Sequence, residues 1–166
     1  MVFDQPRWKP IREALTPENL RRAPFYGSSV LLKTDKGAWQ GEAVLETRNG
    51  TERVYWRLHG LTNRPTSVTD WEKAPGNPYA DPASWNARPK PPLENGKAYL
   101  VFLSPLGWVE AVCRLRNRRS PKWQFVYPIG TKEFTIRYWL DLPIQLEDCL
   151  TEWRIPLLQE TSEAWT

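Results

Sequence analysis

One histidine and two cysteines stand in a chain of 166 residues, and each scarcity removes a class of function. Cys113, Cys149 and His59 fall short of the roughly four soft ligands of a protein-only zinc site, and two cysteines make no disulfide framework. A serine-hydrolase triad would have to be built on His59, beside Gly60, and no Gly-x-Ser-x-Gly elbow is present. Cys113, between Ala111 and Leu115, reads as a buried small hydrophobe, while Cys149 sits by Glu147 and Asp148, where negative charge opposes thiolate formation. Glu42, Glu46, Asp70 and Glu94 form no spaced nuclease set, and there is no Gly-rich phosphate loop, RNP signature, GXXG loop or zinc finger. The expectation is a non-catalytic protein with no cofactor and no metal.

Long hydrophobic runs are also missing. Nothing approaches the roughly 20 apolar residues of a bilayer span, and no charged-then-apolar leader follows Met1. An intracellular, cytoplasmic protein with no membrane partner is expected.

What the chain has in excess is tryptophan, 10 residues, and proline, 16. Its formal charge of +4 is unevenly placed. Residues 141–166 carry Asp141, Glu147, Asp148, Glu152, Glu160 and Glu163 against Arg154 alone; removing them from 23 basic and 19 acidic residues leaves 22 against 13. A body with nine surplus positive charges suits a polyanionic partner.

Residues 1–26 carry two short helix starts, at Pro10 before Ile11 to Leu15 and at Thr16-Pro17 before Glu18 to Arg22, with Thr16 as N-cap and Pro17 in the first turn. This N-terminal helical arm brings Arg7, Lys9, Arg12, Arg21 and Arg22. Residues 27–60 change to a two-residue period rich in Val, Leu, Trp and Tyr. Asn49-Gly50 predicts a type I′ hairpin, since both central positions need positive φ. Counting outward from Arg48 opposite Thr51 sets Leu45 opposite Val54, Ala43 opposite Trp56 and Gly41 opposite Leu58. On the other face Glu46 meets Arg53, Val44 meets Tyr55 and Glu42 meets Arg57, pairs worth about 0.2–1 kcal/mol each. A strand at Ser28 to Lys33, turned through Asp35-Lys36-Gly37, completes a meander.

Residues 61–95 hold seven prolines and read as a long insertion without a continuous strand, apart from a helical turn opened by Asp81-Pro82 and running through Trp85. Loops of this length are usually functional or mobile, and Trp71, Tyr79 and Trp85 argue that this one packs on the domain itself or on a protein partner, for which they are the candidates. Residues 96–140 supply four more strands, at Lys97 to Leu103, Trp108 to Arg116, Trp123 to Tyr127 and Glu133 to Leu140, ahead of the acidic segment 141–166. The fold class expected is mainly β, or α+β with little helix: one domain with an antiparallel sheet, barrel or sandwich of about seven strands.

Alternation along Trp108 to Arg116 sends Val109, Ala111, Cys113 and Leu115 inward and Trp108, Glu110, Val112, Arg114 and Arg116 outward. Arg118, Arg119 and Lys122 follow at once. In Glu133 to Leu140, Phe134, Ile136, Tyr138 and Leu140 point inward, while Arg137 and Trp139 share the outer face with Glu133 and Thr135. Arg53, Tyr55 and Arg57 add a third stripe. Guanidinium groups interleaved with flat rings suit single-stranded nucleic acid, where cations meet phosphates and rings stack on bases. The alternative is that Trp108 and Trp139 lie under the Pro-rich insertion as a second small core. The expected function is a non-catalytic accessory protein binding RNA or single-stranded nucleic acid, a small subunit among other proteins of a nucleoprotein complex. Its alternative is a protein-interaction, regulatory or inhibitory module working through the Trp/Pro-rich insertion.

Overall fold

The computed structural model describes residues 6–115, 121–127 and 135–145. It is a mainly β, curled antiparallel sheet. In chain order the elements are β1 (Lys9–Pro10), α1 (Pro17–Arg22), β2 (Val30–Thr34), β3 (Gly37–Arg48), β4 (Thr51–Leu58), β5 (Val68–Lys73), α2 (Pro82–Ala87), β6 (Ala98–Leu103), β7 (Gly107–Arg114), β8 (Lys122–Phe125) and β9 (Trp139–Leu140). Among the described residues no helix is long and apolar enough to cross a membrane.

The β3–β4 hairpin has the register that the Asn49-Gly50 turn and the charge pattern dictate, from Arg48 opposite Thr51 to Gly41 opposite Leu58. Asn49 and Gly50 take φ values of 51° and 78°, the left-handed pair a type I′ turn requires. Gly41 is where β3 changes neighbours, facing Val30 of β2 on one side and Leu58 of β4 on the other. Beyond it, on the edge that β4 vacates, β7 approaches at the single pair Trp39 and Val109. β7 branches the same way: Ala111 meets Tyr99 of β6 on one side and Phe125 of β8 on the other. The sheet is thus two fans, β1-β5-β2-β3-β4 and β8-β7-β6-β9, joined through β3 and β7.

Both faces of the central strands are dry. Val30, Leu32, Trp39, Val101, Leu103 and Val109 belong to one apolar cluster, and their chain neighbours Leu31, Ala38, Leu100, Phe102 and Trp108 to another on the opposite face. This explains the unbroken apolar run Tyr99 to Leu103, since a strand covered on both sides has no polar alternation to show. The first cluster is closed by Leu20 of α1 and by Phe25, the second by Trp8, by Trp85 of α2 and by Tyr138.

Three expectations are corrected. No helix forms at Pro10 to Leu15, because the chain there joins the sheet instead: β1 pairs with β5, and the Ile11 N–H donates to Thr69 O at 2.9 Å. The Pro-rich stretch does contain a strand, β5, in the nine residues between Pro65 and Pro75 where proline is absent; it pairs with β2 along Val30 to Thr34. The strand expected over Glu133 to Leu140 shrinks to β9, with Thr135 to Tyr138 irregular and residues 133 and 134 outside the described residues. Thr16 caps α1, accepting from the Asn19 N–H, and Asp81 caps α2, accepting from the Ser84 N–H.

Segment 62–67 is anchored by Asp35, whose Oδ1 accepts from the N–H groups of Thr66 at 2.8 Å and Ser67 at 3.1 Å. These bonds, that from Ser67 foremost, hold its carboxyl below the usual range against a smaller opposing effect of burial. A carboxyl whose folded pKa is depressed contributes stability that is present above its unfolded pKa, about 3.9, and is lost as pH falls through the folded value. Stability of the wild type should therefore fall more steeply below about pH 4 than that of Asp35→Asn, measured by urea melts across pH 2.5–6. Parallel profiles would remove Asp35 from the acid response.

Candidate nucleic-acid interface

The basic, aromatic faces expected from strand alternation resolve into separate places. Trp108 is fully buried. Its indole N–H donates to Gly76 O at 3.1 Å, and its ring packs on Trp85 and Phe102 at centroid distances of 5.5 and 5.2 Å. A ring so enclosed cannot stack on a base, and Trp108 is withdrawn as a nucleic-acid-binding residue. The face it occupies is covered by residues 76–85 of the insertion. Leu115, expected inward, is exposed at 37%. Trp139 is half-buried: its indole N–H donates to Pro91 O at 2.9 Å, its ring leans on Trp123, and Lys90 Nζ lies 4.7 Å from its centroid.

The hairpin stripe is present but neutralised. Arg53 meets Glu46 at 3.0 Å, and Arg57 meets Glu42, its Nε donating at 3.1 Å; the Arg57 pKa is pushed up, chiefly by that hydrogen bond. Tyr55 donates to Glu46 at 3.2 Å, and the Arg64 guanidinium lies 3.8 Å from its ring centroid. On the N-terminal segment Lys9 is held by Glu72 at 2.9 Å and Arg21 by Glu52. The aromatics proposed for a protein partner turn largely inward. Trp85 is buried, and Trp71 is half-buried against Phe25, with Lys9 over its ring. Tyr79 is 41% exposed yet packs on Phe102 and Tyr138.

A different situation holds at the loop end of the β7–β8 hairpin. Arg114 and Lys122 stand directly opposite each other across the ladder, and both are exposed. Like charges so placed repel, and among the described residues neither has a carboxylate partner. Around them lie Asn95, Trp123 and Gln124, bordering a shallow depression. The hydrogen bonds here use the side-chain oxygens: Arg114 Nε donates to Gln124 Oε1 at 3.1 Å, and the Leu115 N–H to Asn95 Oδ1 at 2.9 Å. With one lone pair of each amide oxygen used in this way, donors outnumber the acceptors left: the guanidinium, the ammonium and two amide NH2 groups. Such a surface can take up an anion and offers little to a cation. Arg116, Arg118 and Arg119 lie in the connection between β7 and β8, outside the described residues, as does the acidic segment from residue 146 onward. Arg137 is exposed, and its carbonyl accepts from Lys90 Nζ at 3.0 Å. Asn95, Trp123 and Gln124 were missed from sequence; only Trp123, next to Lys122, gave a usable signal.

His59 has a structural setting. Its Nδ1 lies 3.1 Å from Leu106 O, which can only accept, so Nδ1 carries a hydrogen; Nε2 faces Ser29 Oγ at 3.3 Å. Gln40 Nε2 donates to the same Ser29 oxygen at 3.1 Å. A carbonyl where a triad has a carboxylate supplies no charge to stabilise an imidazolium. The ring ties the start of β2 to the β6–β7 turn. Cys113 is buried, and desolvation pushes its thiol pKa up. Among the described residues no three His, Cys, Asp or Glu side chains gather as metal ligands. Comparison with known protein families, with curated proteins and with solved structures finds no match to this chain.

Proposed function

We propose that the chain is a non-catalytic accessory protein that binds RNA or single-stranded DNA at the loop end of the β7–β8 hairpin, as a small subunit of a nucleoprotein assembly. The observation that carries this reading is the exposed, carboxylate-free pair of cations Arg114 and Lys122, whose neighbouring amide oxygens each already accept one hydrogen bond. Phosphates need donors and positive charge; Trp123 lies on the other face of β8, opposite Cys113 and packed on Tyr99 and Trp139, so the reading rests on charge and not on stacking there. Arg116, Arg118 and Arg119 follow Arg114 in the sequence and add positive charge to the same stretch of chain, and Arg137 and Trp139 remain further candidates. Arg53 and Arg57 contribute little, since each is already held by a glutamate.

Reversing both charges with Arg114→Glu and Lys122→Glu should weaken binding of a fluorescent single-stranded oligonucleotide by at least about tenfold. It should also flatten the plot of log affinity against log salt by roughly 0.7 for each phosphate that the variant no longer neutralises. Arg53→Ala with Arg57→Ala should leave both quantities unchanged. Equal affinity and slope for wild type and the charge-reversed protein would reject the site.

A further inference from the structure

A second concavity lies between segments 73–76 and 88–91 and the chain leaving β9. It measures about 590 Å3, within the range of roughly 300–1,000 Å3 typical of small-molecule sites. Its accessible apolar lining comes from Leu140 and Leu142, with Pro75 and Pro91 as walls, above the closed core residues Leu31 and Leu100. Proline walls have fixed φ and no N–H, so the groove is shaped in advance and offers a polar ligand few backbone donors.

Four charged residues border this groove, and their partners separate them into two kinds. Glu72 is saturated: Lys9 Nζ reaches both its oxygens at 2.9 and 3.0 Å, and the N–H groups of Arg7 and Lys73 donate at 3.2 and 2.8 Å. Asp141 is paired with Lys97 at 3.2 Å. Lys73 and Arg88 have no carboxylate partner among the described residues, and Arg88 is held over the Trp85 ring with its Cζ 4.2 Å from the centroid. An apolar trough with two unanswered cations beside two satisfied anions fits one negative group on an apolar body. A run of phosphates would be brought against Glu72 and Asp141 and would leave the leucines without a partner. We infer that this groove binds a small amphiphilic carboxylate, its head on Lys73 and Arg88 and its apolar body against Leu140, Leu142, Pro75 and Pro91.

The test is calorimetric titration of the full chain with decanoate below its aggregation concentration, beside decanol and decyltrimethylammonium, with 1H–15N spectra recorded along each titration. Saturable binding of decanoate, about tenfold or more tighter than decanol, is expected. Shifts should centre on Lys73, Gly76, Arg88 and Leu142, and Lys73→Glu with Arg88→Glu should abolish the preference for decanoate. Both residues are exposed, so the variant is expected to fold, and its spectrum shows whether it has. Absence of saturable binding, equal binding of the alcohol or the cation, or a preference that survives charge reversal would overturn the inference. None of these results bears on Arg114 and Lys122.

Discussion

Replacing Trp108 with alanine should cost about 3–5 kcal/mol, the usual range for removing a fully buried tryptophan. Against a total stability of about 5–15 kcal/mol for an ordinary domain, this brings the protein close to unfolding at 37 °C. The ring has no exposed surface, fills the space between Trp85 and Phe102, and anchors the insertion through Gly76 O. Its loss leaves a cavity and an unpaired carbonyl together. Trp108→Phe separates the two contributions, keeping most of the ring and orphaning only the carbonyl, for about 1–3 kcal/mol. Urea denaturation followed by circular dichroism measures both. A Trp108→Ala protein within about 1 kcal/mol of wild type, binding oligonucleotide less well, would return Trp108 to the surface as a stacking residue.

Gly41→Ala should be the most disruptive exchange of a small residue. A Cβ there would lie closer than 3 Å to the Arg57 carbonyl oxygen and 3.2 Å from Leu58 Cα, both backbone atoms that cannot swing aside. Gly41 is also flanked by Val30 on its other side, so β3 cannot retreat without loosening β2. Overpacking of this kind costs about 1–3 kcal/mol, and the rigid neighbours place the expected value at the upper end. Gly50→Ala is the control: nothing lies within 4 Å, and only its φ of 78° is strained, for about 1 kcal/mol. Equal urea midpoints for the two variants would mean that β3 and β4 spread freely at Gly41.

The β3–β4 hairpin was legible because turn chemistry and cross-strand charge specify one register independently. The same register carried a second consequence that composition hides: the glutamates that align the strands also occupy Arg53 and Arg57, so a stripe that reads as free positive charge is largely neutralised. Alternation along β7 sorted its side chains onto two faces correctly, but it could not tell that Trp108's face is dry. That depends on Gly76 and Trp85, over twenty residues away in the chain. β5 escaped notice because its alternating residues, Val68, Asp70 and Glu72 against Thr69, Trp71 and Lys73, carry no apolar stripe, and because flanking prolines dominate the local signal. At the candidate interface the density of arginine was visible, whereas the roles of Asn95 and Gln124 rest on hydrogen bonds set by the β7–β8 ladder and its neighbours.

The chain ahead of β1 and the chain after β9 run side by side: the Trp8 N–H donates to Ile144 O at 3.1 Å, and the Ile144 N–H to Pro6 O at 3.0 Å. Arg7 and Ile144 thus meet as a parallel bridge that joins positions 137 apart in the chain (144 − 7). Ordering so long a loop costs more chain entropy than closing the two-residue turn at Asn49-Gly50, so this clasp belongs to the late steps of folding and the hairpin to the early ones. In native-state hydrogen exchange the amides of Trp8 and Ile144 should then open at lower free energy than those of β3 and β7, making the meeting of the two ends the first seam to part while the forked sheet stays shut.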